Sequence, residues 1–506
     1  MSKIDWKELQ NGSDIRGIAL EGVPGEKVNL TPEAVSRIGQ SFVGWLHKRY
    51  PGTRLSISVG MDSRLSGPVL KDALIKALID CGVDVYDLGL ASSPAMFMST
   101  LSEDQPVTAA IMLTASHLPF NRNGMKFYTC EGGLDKADIT DILELAASNA
   151  SFRGKTKGSI EKRDFMAEYA ARFVKIIREQ VNHPKHFDEP LSGLKIVVDA
   201  GNGAGGFYAT EVLARLGADI SASQFLEPDG RFPNHVPNPE DEIAMLSVTR
   251  QVKATNADLG IIFDTDVDRA ALVVRNGQMI NRNSLIAMVS AVILREHPGT
   301  TIVTDSITSN GLTWFINEYL GGHHHRFQRG YKNVINEAIR LNKEGKECHL
   351  AIETSGHAAL KENHFLDDGA YLITKLIITM ARLQQEGKSL INLIEKLPTP
   401  ASSIEIRIGI NTPDFKEYGE KVITELGLYA ANHVGWELAT ENYEGLRVQC
   451  SKPQGWFLLR LSLHDPVLPL NIESEETVGM KEIISELSRF FENYDDLDLS
   501  GLKNID

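Results

Sequence analysis

The sequence has little cysteine and no long hydrophobic run. Its four cysteines are widely separated, at Cys81, Cys130, Cys348 and Cys450. This spacing excludes a disulfide framework and a metal site built from paired cysteines, and it fits a reducing compartment. The best apolar stretch, Leu285 to Leu294, is too short to cross a bilayer and predicts a core helix. The opening residues, MSKIDWKELQ, lack the apolar core of a secretion signal, so we expect a cytoplasmic protein that does not bind membranes.

Positive charge is also scarce. The 506 residues carry a formal net charge of −15, which argues against nucleic acid or an anionic membrane surface as a partner. Hydrophobic residues make up 42% of the chain and charged residues 24%, which is typical of a globular protein. The length predicts about three to five domains. Any anionic substrate must therefore be held by local Arg and Lys side chains, and the sequence leaves the oligomeric state open.

Short apolar strands that end directly in an acid-bearing loop are, by contrast, frequent. The acids that follow such strands are Asp62, Asp199, Asp264, Asp305 and Glu353. Helices are predicted between the strands, for example over 67–80, 136–147 and 164–181, and this alternation predicts α/β units. Open α/β sheets place their chemistry at the carboxyl ends of the strands. A structural protein has no reason to collect acids there, so the pattern indicates an active or binding site.

Another strand end carries a serine and a histidine. The stretch TAAIMLTASHLPFNRNGMKFY, residues 108–128, begins with the apolar run 109–113 and continues into a polar turn. This pattern predicts a buried strand that places Ser116 and His117 at its carboxyl end. A serine there can be a nucleophile or a phosphate carrier, with His117 and Lys126 near enough to act on it. A lone Ser-His pair is also typical of a turn or helix cap.

A second strand end carries three alternate acids, in the run Asp264-Thr265-Asp266-Val267-Asp268-Arg269. Carboxylates at this spacing can converge on one hard cation, and oxygen ligands suit Mg²⁺. The run fails the EF-hand pattern, since Arg269 stands where glycine is required and Arg275 where the bidentate glutamate belongs. The loop therefore predicts a magnesium site.

Two further motifs predict no chemistry. The glycine-rich run 199–206, DAGNGAGG, matches the dinucleotide fingerprint poorly and predicts a tight structural turn, so a nicotinamide cofactor is not supported. The triplet His323-His324-His325 follows Gly321-Gly322. We expect an exposed loop there and assign it no role.

Taken in order, these loops resemble those of the α-D-phosphohexomutases, the phosphoglucomutase/phosphomannomutase family. Thr-Ala-Ser-His-x-Pro followed by Asn-Gly-x-Lys is similar to the family's active-site serine loop, with Leu118 where the family usually has Asn. The run 264–269 is similar to its metal loop, and Glu-Thr-Ser-Gly-His at 353–357 to its sugar-binding loop. Asp-Ile-Arg-Gly at 14–17 resembles its amino-terminal motif. The resemblance extends over essentially the whole chain.

The resemblance implies an α/β fold of three mixed-sheet domains and a smaller α+β C-terminal domain around a central cleft. Proline- and charge-rich linkers place the boundaries. We predict a phosphoserine-loop domain with a connecting helix at 1–185 and a metal-binding domain at 186–297. A sugar-binding domain follows at 298–400, and a mobile phosphate-binding domain at 401–506.

The resemblance also implies roles for individual residues. Ser116 would carry a phosphoryl group, and the ligands of Mg²⁺ would be Asp264, Asp266, Asp268 and the phosphorylated Ser116. Arg16 and Arg269 would lie near the reacting phosphate. Lys126 and His357 are the candidates for proton transfer, with His117 in support. Arg64 is expected to support the serine loop without reacting.

Substrate-binding residues are implied in the second half of the chain. Glu353 and Ser355 would bind sugar hydroxyls, and the loop with Gly330 and Lys332 would help to choose between sugar orientations. The family's phosphate-binding loop corresponds to Arg460, Ser462 and His464. Here Leu463 replaces a glycine, His464 replaces a threonine, and Pro469-Leu470-Asn471 stands where a second arginine is usual. We expect Arg460, Ser462 and His464 to hold a phosphate with fewer fixed donors.

The implied activity is a phosphohexomutase that interconverts hexose 1-phosphate and hexose 6-phosphate of glucose, mannose or both. The reaction would proceed through phosphoserine and a hexose 1,6-bisphosphate, which also acts as activator or phosphoryl donor. The altered phosphate loop keeps open a glucose-1,6-bisphosphate synthase that uses fructose 1,6-bisphosphate. Two other classes are a haloacid-dehalogenase-like phosphatase with Asp264 as nucleophile and a non-catalytic sugar-phosphate sensor.

Overall fold

The computed structural model describes residues 4–148, 152–462 and 465–503. Its internal contacts divide the chain into two compact units. The first unit comprises Met1–Leu285 and Ser355–Leu393, and the second comprises Ile286–Thr354 and Ile394–Asp506. Among the described residues, no helix combines the length and the apolar character that crossing a membrane requires. The boundaries of the four predicted domains remain predictions.

The first part of the chain forms an eight-stranded sheet with helices. The strands are β1 (Gln10–Asn11), β2 (Asp14–Ile18), β3 (Ser56–Met61), β4 (Asp84–Leu90), β5 (Ala109–Leu113), β6 (Arg122–Thr129), β7 (Gly132–Gly133) and β8 (Ile160–Lys162). The helices are α1 (Pro32–Arg49), α2 (Gly67–Asp80), α3 (Ser93–Thr100), α4 (Lys136–Ala147) and α5 (Phe165–Val181). The main path runs β1-β2-β6-β5-β3-β4-β8, and β7 pairs with β6.

β5 lies inside this sheet, between the parallel β3 and the antiparallel β6. All five of its residues are buried. An unbroken apolar run is what a strand covered on both faces requires. The hydrophobic core formed by α1, α2, β3 and β5 therefore fixes the strand that delivers the serine loop.

The next part of the chain forms a four-stranded sheet in the order β12-β11-β10-β9. Its strands are β9 (Ile196–Asp199), β10 (Leu259–Phe263), β11 (Ala270–Val274) and β12 (Met279–Ile280). α6 (Glu242–Thr255) packs on β10, and α7 (Arg282–Glu296) contains the predicted core helix. β10 is parallel to β9 and antiparallel to β11, so the loop 264–269 is the tight connection between two neighbouring strands.

The third part of the chain contributes to both units. Its elements are β13 (Thr301–Asp305), α8 (Asn310–Trp314), β14 (His323–Phe327), α9 (Tyr331–Lys343), β15 (Cys348–Ile352), β16 (Ala358–Leu360), β17 (Leu366–Asp367) and α10 (Gly369–Gln385). In the second unit, β13 is parallel to both β14 and β15. In the first unit, β16 and β17 form an antiparallel pair and α10 packs against α5.

The exposed loop expected at the histidine triplet is wrong, because residues 323–327 form strand β14. The ring of His324 is buried, with Nδ1 2.8 Å from Thr313 Oγ1 and Nε2 2.7 Å from Thr304 Oγ1. Burial and the neighbouring charge of Arg326 hold the pKa of His324 well below its usual range. The triplet thus belongs to a strand at the edge of the sheet, with His323 exposed and His324 and His325 half-buried as whole residues.

The last part of the chain forms a six-stranded antiparallel sheet in the order β19-β20-β21-β22-β18-β23. The strands are β18 (Ser402–Ile410), β19 (Trp436–Leu438), β20 (Leu446–Ser451), β21 (Gln454–Leu459), β22 (Val467–Ser474) and β23 (Leu497–Asp498). The helices are α11 (Phe415–Asn432), α12 (Gly479–Phe491) and α13 (Ser500–Lys503). Residues of α11 and α12 share one hydrophobic core with the sheet, as predicted for an α+β domain.

A buried charged cluster joins this sheet to the loop after β13, within the second unit. Arg447 stacks on Trp456 at 3.6 Å and donates to the main-chain oxygens of Ser306, at 2.9 Å, and Thr308, at 3.1 Å. Burial raises the pKa of Glu473 to about 7, although the positive charge of Arg447 opposes the change. The folded protein therefore binds a proton at Glu473 more tightly than the unfolded chain does.

Glu473→Gln is expected to change the pH dependence of stability. Because the folded pKa lies above the ordinary value of 4.5, this glutamate lowers the unfolding free energy of the wild type as pH rises from about 4.5 to 7. The variant should gain about 2 kcal/mol relative to the wild type between pH 5 and pH 8. Denaturant unfolding at both pH values measures this gain, with the exposed Glu437→Gln as control. A difference that does not change with pH would contradict the expectation.

Candidate active site

The serine loop begins where β5 ends. Ser116 is buried and adopts φ 49°, a left-handed conformation that non-glycine residues rarely hold unless their surroundings fix it. Its main-chain N–H donates to Thr114 Oγ1 at 2.9 Å, and Thr114 Oγ1 donates to Asp62 at 2.7 Å. Gly124 allows the neighbouring strand to approach, since a Cβ there would lie 2.2 Å from the oxygen of Ile15.

Arg64 holds the other side of this loop. Its side chain is fully buried, and NH1 donates to the oxygens of Pro119 at 2.7 Å and Arg122 at 2.9 Å. NH2 donates to the oxygen of Leu118 at 2.6 Å and to that of Ser116. One planar guanidinium thus satisfies four loop carbonyls, which confirms the predicted supporting role of Arg64.

Arg64→Lys is expected to loosen the loop while conserving the charge. An ammonium cannot present the planar fork of donors that reaches these carbonyls. We expect the unfolding free energy to fall by about 3 kcal/mol and amide exchange over 114–122 to become faster. The matched control is Arg54→Lys, because Arg54 is an exposed arginine that pairs with Asp84 in the same unit. Unchanged exchange over 114–122 in Arg64→Lys would contradict the supporting role.

The three aspartates after β10 converge as predicted. Asp264, Asp266 and Asp268 are buried, and one carboxylate oxygen of each lies within 4.8 Å of the others. Val267 between them adopts φ 68°, which for a β-branched residue indicates a strained loop. Burial, then the charges of Asp268 and Asp266, raise the pKa of Asp264 well above its usual range.

The residues of this triad fit a magnesium ion. Oδ1 of Asp266 and Oδ1 of Asp268 are buried, and within the described part of the chain neither has a hydrogen-bond partner. Buried carboxylate oxygens without partners are costly, and a hard cation that prefers oxygen ligands would satisfy them. A second cluster, Asp268 with His357 and Asp367, includes a ring nitrogen and suits Mg²⁺ less well.

Two cations compensate the triad. Lys126 Nζ lies 3.0 Å from Asp266 Oδ2 and also contacts Asp268. Arg269 Nε lies 3.3 Å from Asp264 Oδ2. Burial alone would raise the pKa of Asp268, but Lys126 and other nearby positive charges outweigh it and lower that pKa. Burial by itself would lower the pKa of Lys126. The negative charges of Asp266 and Asp268 outweigh burial and raise that pKa, so Lys126 remains positively charged.

The serine loop and the metal loop meet directly within the first unit. Ser116 Oγ donates to Asp264 Oδ2 at 2.9 Å, and Arg269 NH2 lies 3.2 Å from the same Oγ. A hydroxyl between an acid of the triad and a guanidinium is placed for phosphoryl chemistry, which depends on positioning and charge neutralisation.

His117 is held as a neutral ring. Arg269 NH2 donates to its Nδ1 at 2.7 Å, and Ser116 Oγ lies 3.3 Å from the same nitrogen. Because a guanidinium only donates, Nδ1 is the acceptor and Nε2 carries the proton. Burial, then the positive charges of Arg269 and Arg16, lower the pKa of His117 to about 3.

His357 has the opposite environment. Its Nδ1 lies 3.1 Å from Asp367 Oδ2, and its main chain bridges that of Arg269. Burial would lower the pKa of His357, but the charges of Asp268 and Asp367 outweigh it and raise that pKa. His357 can therefore exchange a proton under conditions in which His117 stays neutral.

Arg16 approaches the serine loop from β2. Its NH1 donates to the oxygen of Thr114 at 2.6 Å, and its NH2 donates to Asp14 at 2.8 Å. The guanidinium thus lies beside the strand end that carries Ser116.

The predicted substrate residues fall into both units. Ser355 belongs to the first unit and is buried, whereas Glu353 belongs to the second. Within the second unit, the main-chain N–H of Gly330 donates to Glu353 Oε1 at 2.6 Å, which brings the two predicted sugar loops together. Lys332 lies in the first turn of α9.

The predicted phosphate-binding loop follows strand β21. β21 ends at Leu459, so Arg460 and Ser462 are loop residues. Ser462 Oγ accepts from the main-chain N–H of Asp465 at 3.2 Å, as in a turn. His464 and the Leu463 substitution lie outside the described residues.

Family models for three phosphoglucomutase/phosphomannomutase domains match the chain consecutively. Alpha/beta/alpha domain I matches residues 7–153, domain II matches 171–277, and domain III matches 281–401. The chain belongs to the α-D-phosphohexomutase family. As a member of this phosphoglucomutase/phosphomannomutase family, it is a phosphotransferase of the mutase type. The predicted family and fold class are confirmed.

Family members resemble this chain over most of its length. A phosphomannomutase/phosphoglucomutase of Pseudomonas syringae pv. tomato is 32% identical over 432 residues, which cover 85% of each chain. A phosphoglucomutase of Neisseria meningitidis serogroup A is 28% identical over 488 residues, or 96% of this chain and 97% of that protein. A crystal structure of a family protein from Burkholderia thailandensis, 28% identical, covers 97% of this chain and 98% of its own, with a TM-score of 0.79.

Two residues at this phosphohexomutase site were not predicted from the sequence. Ser93, at the start of α3, donates from Oγ to Asp266 Oδ2 at 2.5 Å and from its main-chain N–H to the oxygen of Asp266 at 2.8 Å. Asp367, at the end of β17, faces His357. The acid pair Asp367-Asp368 before a helix is a signal that could have been noted, whereas nothing in the local sequence distinguishes Ser93.

Proposed function

We propose that the protein interconverts hexose 1-phosphate and hexose 6-phosphate through a phosphoserine at position 116 and a hexose 1,6-bisphosphate intermediate. The observation that carries the proposal is the position of Ser116 Oγ, 2.9 Å from Asp264 and 3.2 Å from Arg269, beside an oxygen triad that fits Mg²⁺. Glucose and mannose phosphates are the proposed substrates.

In the first half-reaction, a hydroxyl of the bound sugar phosphate attacks the phosphoryl group on Ser116. The O–P bond to Ser116 breaks, a new O–P bond forms on the sugar, and the Ser116 oxygen takes up a proton from water to become the free hydroxyl. Arg269 and Arg16 neutralise charge on the phosphoryl group during transfer. Asp264, Asp266 and Asp268 would hold Mg²⁺, which withdraws charge from a phosphoryl oxygen when bound.

The attacking hydroxyl must lose its proton, and His357 is the favoured acceptor. Asp367 orients its ring at 3.1 Å and stabilises the protonated form. Lys126 pairs with two carboxylates and stays charged, so it acts as a fixed positive charge. His117 accepts from Arg269 at Nδ1 and so positions that guanidinium. The bisphosphate then reverses in the site and rephosphorylates Ser116 from its other end.

The direct test is conversion of glucose 1-phosphate to glucose 6-phosphate in the presence of Mg²⁺ and a trace of glucose 1,6-bisphosphate. Rapid conversion supports the mutase, with mannose 1-phosphate as the parallel substrate. A glucose-1,6-bisphosphate synthase would instead require stoichiometric fructose 1,6-bisphosphate and accumulate glucose 1,6-bisphosphate. Net release of inorganic phosphate would indicate the phosphatase alternative at Asp264. The absence of any turnover would indicate the sensor.

A further inference from the structure

The strand register places Glu444 beside the phosphate loop. β20 and β21 pair antiparallel with Leu446 opposite Leu459, so the residues just before β20 face the residues just after β21. Gly445 makes the approach close, because a Cβ there would lie 2.2 Å from the oxygen of Leu459 and 2.8 Å from the Cα of Arg460. The backbone therefore fixes Glu444 next to Arg460, within the second unit.

Donors from three segments surround the carboxylate of Glu444. Ser306 Oγ donates to Oε2 at 2.5 Å, and the main-chain N–H of Arg329 donates to the same oxygen at 3.1 Å. Arg460 NH1 lies 3.8 Å from Oε1. A hydroxyl, a main-chain N–H and a guanidinium around one anionic group form the donor set of an anion site.

Arg460 is incompletely compensated in this arrangement. Its side chain is 11% exposed, and its Nε has no hydrogen-bond partner within the part of the chain that the structure describes. The contact with Glu444 is too long for a hydrogen bond. A buried guanidinium donor without an acceptor raises the free energy of the folded protein. An acceptor oxygen from a ligand would satisfy this donor.

A second guanidinium lies in the same neighbourhood. Arg329 NH1 is 3.9 Å from Glu405 Oε2. Burial lowers the pKa of Arg460 and the charge of Glu444 opposes this, while the positive charge of Arg329 lowers the pKa further. The sequence has no arginine at 469–471. Arg329, in the loop before α9, is therefore a second guanidinium near Glu444 and Arg460.

We propose that Glu444 is an internal substitute for the non-reacting phosphate of the substrate, and that this phosphate replaces it between Arg329 and Arg460. The proposal rests on the proposed function and adds a selectivity to it. A phosphate carries more charge and more acceptor oxygens than a carboxylate. It can displace Glu444, whereas a sugar carboxylate of single charge cannot. Glu444 thus makes the site selective for dianionic phosphate esters.

The test is calorimetric titration of the full-length protein with inorganic phosphate and with glucose 6-phosphate, both in EDTA. Glu444→Gln should bind both about tenfold more tightly than the wild type, because a like charge is removed from the site. Arg329→Gln should bind both at least about tenfold more weakly. The controls are Glu441→Gln, a nearby exposed acid, and Arg407→Gln, because Arg407 also lies 3.9 Å from Glu405 but is 65% exposed.

Weaker or unchanged binding in Glu444→Gln would overturn the proposal, because Glu444 would then merely position Arg460. A gain that persists in the double variant Glu444→Gln/Arg460→Gln would also overturn it, since the phosphate would be binding elsewhere. If Arg329→Gln binds phosphate as Arg407→Gln does, Arg329 is not the second cation of the site and the proposal fails. These readouts need no turnover, so a protein without mutase activity could still show the predicted gain. An active mutase without the gain would refute the anion site alone.

Discussion

A protein in which Ser116 is replaced by alanine is expected to retain less than about 10⁻⁴ of the wild-type conversion of glucose 1-phosphate to glucose 6-phosphate. The substitution removes one oxygen, the atom that lies 2.9 Å from Asp264 and 3.2 Å from Arg269. Without it, no group at this position can hold a phosphoryl between the half-reactions. A coupled assay of glucose 6-phosphate formation measures the loss.

The matched control is Ser99→Ala. Ser99 is also buried in the first unit, but its Oγ donates to the oxygen of Met96 in its own helix, at 2.7 Å. We expect this variant to keep turnover within about twofold of the wild type. Substantial turnover in a folded Ser116→Ala protein would show that another residue carries the phosphoryl group.

The second large effect is expected at the metal loop. Asp266→Asn should weaken Mg²⁺ binding by at least about 100-fold and lower turnover by about 10³-fold. The amide keeps the shape of the side chain but loses its charge. It also has one oxygen fewer than the carboxylate, whose buried Oδ1 has no hydrogen-bond partner among the described residues and is available to a metal ion. Lys126 would also lose one of its two carboxylates. Calorimetric titration with Mg²⁺ reports binding independently of turnover.

The control for this variant lies at the other end of the same strand. Asp258 precedes β10, accepts from the main-chain N–H of Lys195 at 2.8 Å and pairs with Arg275. Asp258→Asn therefore removes a charge from the same sheet without touching the triad, and Mg²⁺ affinity should stay as in the wild type. Equal Mg²⁺ affinity in Asp266→Asn and the wild type would contradict the assignment of the metal loop.

Local sequence patterns predicted many helices and strands because interactions between residues close in sequence determine where these elements begin and end. α2 and α4 have the predicted bounds, and α4 begins at a capping box in which Asp135 and Asp138 satisfy each other's main-chain N–H groups. α5 begins one residue later than predicted, since Asp164 is its N-cap and accepts from Ala167. The alternate acids of 264–268 converge because they follow one buried strand.

The features that sequence reasoning did not identify depend on distant segments. β14 forms because β13 pairs with it in parallel and two threonines satisfy the buried His324 ring, and a run of three histidines carries no strand signal of its own. The contact between Ser93 and Asp266 joins residues 173 positions apart. Asp367 and the Glu444–Arg460 pair likewise depend on strand register, which a local motif does not contain.

The most direct test of the central claim is phosphopeptide mass spectrometry of the purified protein. Spectra would be compared before and after addition of glucose 6-phosphate with Mg²⁺, while glucose 1,6-bisphosphate is measured in the same samples. We expect phosphate on Ser116 that disappears as the bisphosphate forms. A Ser116 that is never phosphorylated, even after incubation with glucose 1,6-bisphosphate, would exclude it as the phosphoryl carrier and leave Asp264 as the alternative.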